Sequence, residues 1–267
     1  MNGLTSNVIR YGDVSLTTRQ HIASVEIHRP PHNYFDLELI RNLADAFEAA
    51  DADARNRVLV LSGEGKSFCA GARFEPSFDE ADHEILSGRV KLLYEHAVRM
   101  FRCRKPIVAA IQGAAVGGGL GLALVADFRV VAPEARFAAN FVKLGLHPGF
   151  GLTYTLPRII GYQRASLMLY TGRRITGTEA VAWQLGDILA PLDRLPEEAE
   201  KLAREIAEAA PLAVCSTRAT MRQHLADAVL AQTNQELAEQ LRLSRTADHR
   251  EGVEAVAARR LGQFHGR

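Results

Sequence analysis

Two hydrophobic patterns alternate along the first half of the chain. Short apolar runs predict buried strands, and segments whose apolar residues recur about every 3.6 positions predict amphipathic helices. Asp36 is a candidate N-cap for the first of these helices. The predicted elements are a hairpin (14–18 and 22–27), a helix from Leu37, a strand (58–61), a helix (85–101), a strand (107–111), a helix (120–125) and a strand (128–131). This order is typical of an α/β fold with a parallel sheet.

The remaining sequence predicts helices almost throughout. Leucine and alanine recur with helical spacing, which is the pattern of side chains that pack into a core. The predicted helices cover residues 164–170, 179–185, 197–209, 215–245 and 250–260. We therefore divide the chain into a core at 1–205 and a C-terminal helical region at 206–267, which we expect to form an oligomer interface.

Composition narrows the class of protein. With 267 residues and a net charge of +1, the chain has no excess charge that would favour nucleic acid or an anionic membrane. Its three cysteines lie far apart, which argues against a disulfide framework or a metal site and predicts a cytoplasmic protein. The uncharged stretch 106–126 is long enough to span a bilayer, but it contains five glycines. We expect it to form a strand, a turn and a buried helix.

The glycine-rich turn at 117–119 follows a predicted strand and precedes an apolar helix. Such a turn lets a strand and a helix pack closely. It also leaves backbone N–H groups free to bind an anion. The turn alone does not decide between the two interpretations.

The order of several motifs decides the class. Phe68-Cys69-Ala70-Gly71-Ala72 follows one strand, and Gln112 to Gly119 covers the next strand end and its turn. Other motifs are His28-Arg29-Pro30 with Asn33, the segment 144–149, and Glu251-Gly252 with Arg259-Arg260. Together they resemble the crotonase (enoyl-CoA hydratase/isomerase) superfamily. The resemblance implies a spiral core of ββα turns, a C-terminal helical trimerisation region and an acyl-CoA substrate.

The resemblance also assigns roles to individual residues. It places two oxyanion-hole donors on the backbone N–H groups of Ala72 and Gly118. It implies contacts to the substrate from Asn33, Ala70, Asn140, Phe141, Arg259 and Arg260. The family's two catalytic glutamate positions fall on Gly121 and Phe141, and a third acid position falls on Gly149. No side chain at these positions can transfer a proton. Arg73 replaces an aspartate that often follows the first donor.

Other polar groups near these positions are candidates for the missing chemistry. His147 is either a relocated base or a loop histidine that caps a backbone carbonyl. Asn140 could orient a water molecule or a carbonyl group. Tyr94, Glu95 and His96 lie on a helix that covers the acyl pocket in relatives, but we favour the interpretation that they form a solvated helix face.

Two classes of function remain open. One is a divergent enzyme (an isomerase, hydrolase, decarboxylase or carbon–carbon lyase) that stabilises a thioester enolate. The other is a non-catalytic acyl-CoA-binding or scaffold protein. Either would take coenzyme A only as part of its substrate, with no metal and no further cofactor, and we expect a homotrimer or homohexamer.

The missing carboxylates predict poor hydration of crotonyl-CoA. General acid–base catalysis typically contributes about 10²–10⁴-fold for each group. We therefore expect a turnover several orders of magnitude below that of a hydratase with two glutamates, measured by the loss of enoyl-thioester absorbance. Turnover equal to that of such a hydratase would contradict the prediction.

Overall fold

A computed structural model describes residues 8–72 and 80–267, with side chains for 8–72 and 88–267. Its strands are β1 (Val8–Tyr11), β2 (Val14–Arg19), β3 (Ile22–Ile27), β4 (Val58–Gly63), β5 (Ile107–Ile111), β6 (Ala114–Val116), β7 (Phe128–Val131), β8 (Arg136–Ala138), β9 (Arg174–Thr176) and β10 (Ile188–Leu189). The predicted hairpin and the three predicted parallel strands are confirmed. The short strands β6, β8 and β9 were not predicted, because three residues are too few to show a period of two.

The helices confirm the α/β fold class. They are α1 (Leu37–Ala52), α2 (Glu80–Phe101), α3 (Gly118–Ala123), α4 (Leu152–Ile160), α5 (Tyr162–Thr171), α6 (Gly177–Ala182), α7 (Leu195–Glu208), α8 (Pro211–Met221), α9 (Leu225–Leu243) and α10 (Ala247–Ala257). Two short 3₁₀ helices lie at Asn140–Leu144 and Leu192–Arg194. Asp36 caps α1 as predicted, since its side chain accepts a hydrogen bond of 2.8 Å from the N–H of Leu39.

The strands form two sheets. The larger sheet has the order β1-β2-β3-β4-β5-β7-β10 and the smaller has the order β6-β8-β9. The first three strands of the larger sheet are antiparallel neighbours, and the pairs from β3 to β10 are parallel. The described helices include none long and apolar enough to cross a membrane. The uncharged stretch 106–126 forms β5, β6 and α3, as expected.

Successive turns of the core repeat one pattern: a strand of the large sheet, a short extended segment, and then a helix. The segment is Phe35 before α1, Cys69 to Ala72 before α2, and β6 before α3. Isolated bridges join Phe35 to Ala72 and Cys69 to Ala115. The extended segments therefore stack beside one another, which is the spiral of ββα turns that the resemblance implies.

The predicted helix over 215–245 is wrong as a single element. The chain breaks between α8 and α9, where His224 has a φ of 64°. Arg218 and Arg222, at the end of α8, both reach Asp127, with N–O distances of 2.8 and 2.7 Å. This anchor fixes the end of α8, and Val229 of α9 is buried in the main core. These contacts give Asp127 a structural role.

Replacement of Asp127 tests this anchor. Its carboxylate also accepts a hydrogen bond of 2.8 Å from the N–H of Ile107, so one side chain joins β5 to α8. Asp127→Asn leaves two largely buried guanidinium groups without their counter-charge, which typically costs about 3–5 kcal/mol. We expect that loss in the free energy of unfolding, measured by denaturant titration.

The matched control is Asp227→Asn. Asp227 forms an exposed ion pair with Arg102 at 3.6 Å. Exposed pairs contribute about 0–1 kcal/mol, so this variant should change stability little. Equal effects of the two substitutions would show that the Asp127 contacts do not anchor α8.

Candidate active site

The candidate site lies where two neighbouring turns of the spiral run side by side. The N–H of Cys69 donates to the carbonyl of Ala114 at 2.8 Å, and the N–H of Val116 donates to the carbonyl of Cys69 at 3.1 Å. These bonds set Cys69 opposite Ala115 in parallel register. The third residue after Cys69 is Ala72, and the third residue after Ala115 is Gly118. The two predicted donors therefore occupy equivalent positions on two adjacent segments of the backbone.

The peptide before Ala72 determines the direction of its N–H group. The carbonyl of Gly71 accepts a hydrogen bond of 3.1 Å from the N–H of Phe35. In a trans peptide the C=O and the N–H point in opposite directions. The N–H of Ala72 therefore points away from the backbone of Phe35. No acceptor pairs with it among the residues that the structure describes.

The same argument applies to Gly118. The carbonyl of Gly117 accepts hydrogen bonds from the N–H groups of Leu120 and Gly121, at 3.0 and 3.2 Å, so it points along α3. The N–H of Gly118 consequently points out of the first turn of the helix. Within the described parts of the chain it also has no acceptor.

Glycine is required at this turn for two separate reasons. Gly117 has a φ of 57°, a conformation that side chains disfavour. Gly118 has no positive φ, so the left-handed conformation at this turn belongs to Gly117 alone. What Gly118 lacks is space, because a Cβ there would lie 2.2 Å from Cζ of Phe35.

Position 121 lacks both a carboxylate and the space for one. A Cβ built on Gly121 would lie 2.6 Å from Cδ1 of Phe150. Phe150 is 1% exposed, and its backbone has a φ of 63°, which is unusual for a bulky residue. The ring of Phe150 therefore fills the volume that a side chain at position 121 would need.

Aromatic rings also occupy the space at the other two positions without an acid side chain, Gly149 and Phe141. A Cβ on Gly149 would lie 2.0 Å from the hydroxyl oxygen of Tyr94. Phe141 is 8% exposed, and its ring tip would lie 3.7 Å from a Cβ on Gly117. The Oδ1 atom of Asn140 would lie 3.6 Å from the same Cβ. Among the three atoms nearest to that Cβ, Oδ1 of Asn140 is the polar one.

His147 lies in the loop before Gly149 and is half-buried. Its Nδ1 lies 2.8 Å from the carbonyl oxygen of Pro148. A carbonyl only accepts, so Nδ1 carries the proton and Nε2 of the neutral ring keeps a basic lone pair. The bond to a loop carbonyl is the structural role considered for this residue, and it leaves Nε2 available for proton transfer.

The neighbouring helix α2 contributes Tyr94 rather than Glu95 or His96. Glu95 is exposed, and Nδ1 of His96 lies 2.9 Å from a guanidinium nitrogen of Arg99. Arg99 in turn binds Asp45 on α1. Burial, followed by the charge of Arg99, lowers the pKa of His96. The solvated-face interpretation is correct for Glu95 and wrong for Tyr94, which is 8% exposed.

Asn33 is buried and its side chain braces the neighbouring loops, while its contact to the substrate stays a prediction. Its Nδ2 donates to the carbonyls of Glu64 and Ser67 at 2.8 and 2.7 Å, and its Oδ1 accepts from the N–H of Arg29 at 3.0 Å. Both donors are therefore used within the protein. Ala70 is half-buried, and its N–H donates to the carbonyl of His32 at 3.0 Å.

The two arginines near the C-terminus differ. Arg260 forms a two-point ion pair with Glu251, whose pKa the arginine lowers to about 2. Arg259 is exposed and, in the described residues, its guanidinium forms no ion pair. Arg259 is therefore the better placed of the two for an external phosphate. Arg73, the other predicted basic position, lies outside the described residues.

Two residues of α9, which sequence reasoning missed, hold the loop that carries Phe150. Gln240 accepts a hydrogen bond of 2.8 Å from the hydroxyl of Tyr94 and donates one of 3.0 Å to the carbonyl of His147. Glu236 accepts a bond of 2.7 Å from the N–H of Gly151. These contacts join residues far apart in the chain, and no local pattern indicates them.

Burial raises the pKa of three ionisable groups near the site. It raises the pKa of the Cys69 thiol to about 12, so this cysteine is not a thiolate nucleophile at neutral pH. It also raises the pKa of Tyr94, with a further contribution from the charge of Glu236. Burial raises the pKa of Glu236 itself. Tyr94 therefore remains a hydrogen-bond donor at neutral pH.

Comparison with known proteins identifies the class. The family described as "Enoyl-CoA hydratase/isomerase" matches residues 17–267. An enoyl-CoA hydratase/isomerase structure from Pseudoalteromonas atlantica T6c superposes with a TM-score of 0.83 at 26% identity, covering 95% of this chain and 100% of that one.

Relatives of known sequence agree with the structural match. The chain is 31% identical to 2,3-dehydroadipyl-CoA hydratase of Escherichia coli K12, covering 96% of this chain and 99% of the relative. It is 30% identical to 1,2-epoxyphenylacetyl-CoA isomerase of the same organism, covering 92% and 95%. The protein belongs to the enoyl-CoA hydratase/isomerase family. The expected resemblance is confirmed, and the relatives include both a hydratase and an isomerase.

Substitution of Gly121 tests whether Phe150 fills the space beside position 121. An alanine in place of a helical glycine normally stabilises by up to about 1 kcal/mol. At Gly121 the added methyl group overlaps the ring of Phe150, and overpacking typically costs about 1–3 kcal/mol. We expect Gly121→Ala to lower the free energy of unfolding, measured by denaturant titration.

Gly88 of α2 is the matched control, because a Cβ there meets no atom of the described residues within 4 Å. Gly88→Ala should leave stability unchanged or raise it. A second arm is the double variant Gly121→Ala with Phe150→Ala, in which the two effects should be strongly non-additive because the groups touch. Stabilisation by Gly121→Ala would exclude the overlap.

Proposed function

We propose that this protein is an acyl-CoA-binding enzyme that stabilises a thioester enolate with the backbone N–H groups of Ala72 and Gly118. Donors placed where negative charge develops are worth about 3 kcal/mol each in the reaction barrier. The acid–base pair that adds water to an enoyl thioester has no counterpart at Gly121 and Phe141. Ordinary hydration is therefore not the proposed reaction.

One observation carries the proposal. Ala72 and Gly118 occupy equivalent positions on two adjacent segments of the backbone. The carbonyl before each of them accepts a hydrogen bond within the protein, so each N–H group points the other way. Both N–H groups are thus left for a ligand. Membership of the enoyl-CoA hydratase/isomerase family supports a CoA thioester as that ligand.

Loss of CO2 from a carboxylated acyl-CoA is the reaction that these residues favour among the alternatives. The bond between Cα and the carboxylate breaks, its electron pair passes into the thioester, and the enolate oxygen binds the two N–H groups. No base has to remove a proton from Cα. The apolar surroundings formed by Phe35, Phe141 and Phe150 also disfavour a bound carboxylate relative to neutral CO2.

The enolate then needs one proton at Cα. His147 is the proposed donor: its Nε2 takes up a proton from solvent and passes it to Cα, either directly or through water. Isomerisation, thioester hydrolysis and carbon–carbon cleavage use the same enolate or oxyanion stabilisation but require a stronger base. A protein that binds acyl-CoA without catalysis is the second candidate. It is favoured by the ring of Phe150, which fills the space beside Gly121.

We propose that the functional form is a homotrimer or a homohexamer. Leu212 and Met221 of α8 are 86% and 82% exposed, although both are large and apolar. Exposed apolar side chains at such positions are favourable contacts in an assembly. Arg259 is proposed to contact a CoA phosphate; Arg260, already paired with Glu251, is proposed to support it.

Exchange of the α-proton in deuterated buffer tests the proposed function. An enzyme that stabilises the enolate should introduce deuterium at Cα of acetyl-CoA or butyryl-CoA, or release CO2 from malonyl-CoA or methylmalonyl-CoA, detected by mass spectrometry. Gly118→Val should abolish binding or turnover, because its side chain overlaps Phe35 and disturbs the turn. His147→Ala should retain binding and lower turnover.

Gly88→Val is the control for the loss of activity, since it places the same side chain at an open position of α2. Binding of CoA thioesters by the folded protein without exchange or CO2 release would support the binding protein instead. Full activity of a folded Gly118→Val variant would exclude the proposed donor.

A further inference from the structure

One face of α3 is covered by aromatic rings. Gly118 and Gly121 are three residues apart and lie on this face. The ring of Phe35 contacts the first and the ring of Phe150 contacts the second, at the Cβ distances given above. The centroids of these rings are 5.9 Å apart, so they form a continuous layer.

Tyr94 extends this layer. Its ring meets Phe150 edge-on, with a centroid distance of 6.5 Å and an interplanar angle of 84°. The exposed fractions of Phe35, Tyr94 and Phe150 are 8%, 8% and 1%. The space beside Gly121 and Gly149, where the family resemblance places acid side chains, is therefore occupied by aromatic side chains of the protein itself.

The backbone that carries Phe150 is held on both sides. Before it, the carbonyl of His147 accepts from Gln240, and after it, the N–H of Gly151 donates to Glu236. Both partners lie on α9, four residues apart. Phe150 cannot leave its place by a shift of the loop unless these buried hydrogen bonds break, which is unfavourable.

We propose that Phe150 determines substrate specificity by limiting the acyl group to a short chain of about two to four carbons. This inference rests on the proposed binding of a CoA thioester. A longer chain would need the volume that the ring now occupies, and the rings of Phe35 and Tyr94 restrict rotation of the side chain. Tyr94 and Gln240 are positioning residues in this arrangement.

The proposal is tested by binding of acetyl-CoA, butyryl-CoA and octanoyl-CoA, measured by calorimetry on wild-type protein and on Phe150→Ala. In the wild type, octanoyl-CoA should bind at least about tenfold more weakly than butyryl-CoA. In Phe150→Ala the order should reverse, because the vacated space accepts methylene groups that each favour burial. Affinity for acetyl-CoA should change little.

Phe47→Ala is the matched control. Phe47 is a phenylalanine of α1 that is 1% exposed, so its loss also creates a buried cavity. This variant should keep the wild-type preference for short chains. Where Phe150→Ala does not fold, Tyr94→Phe replaces it, since this change removes only the hydroxyl that binds Gln240. It should raise the affinity for octanoyl-CoA relative to wild type.

The outcomes separate the two proposals. If no CoA thioester binds to the folded wild-type protein, the proposed function fails. If octanoyl-CoA binds the wild type as tightly as butyryl-CoA does, the function stands and the role of Phe150 is overturned. An unchanged chain-length preference in a folded Phe150→Ala variant, or in Tyr94→Phe used in its place, also overturns it.

Discussion

The candidate site depends on the close approach of two backbone segments, 69–72 and 114–119. A Cβ on Gly119 would lie 2.0 Å from the carbonyl oxygen of Cys69, so only glycine permits this distance. The hydrogen bonds of Cys69 to both Ala114 and Val116 need the same proximity. The register that they impose places Ala72 and Gly118 at equivalent points, and neighbouring carbonyl groups determine the directions of their N–H groups.

Where the candidate site has no carboxylate, an aromatic side chain occupies the neighbouring space. Position 121 has no carboxylate, and the ring of Phe150 occupies the volume next to it. The phenol of Tyr94 lies against Gly149 in the same way. A carboxylate introduced into this layer would be buried among rings without a paired charge, which is strongly unfavourable. Restoring one side chain would not restore the acid–base chemistry.

Prediction from sequence succeeded where the signal was local. The apolar run 107–111 and the cap at Asp36 each depend on a few adjacent residues, and both are confirmed. The break between α8 and α9 was missed because its cause is the contact of Arg218 and Arg222 with distant Asp127. Tyr94 was interpreted as part of a solvated face for a similar reason, since its buried partner Gln240 lies on α9.

The sequence by itself determined which side chains three positions of the candidate site lack. Glycine or phenylalanine at positions 121, 141 and 149 transfers no proton in any fold, and the order of the motifs was enough to indicate the family. Only the tertiary structure decided what occupies the vacated space and which groups hold it there. The layer over α3 combines Tyr94 of α2 with Phe35 and Phe150 of two loops, and residues of α9 hold it in place. Such contacts depend on distances that no pattern along the chain contains.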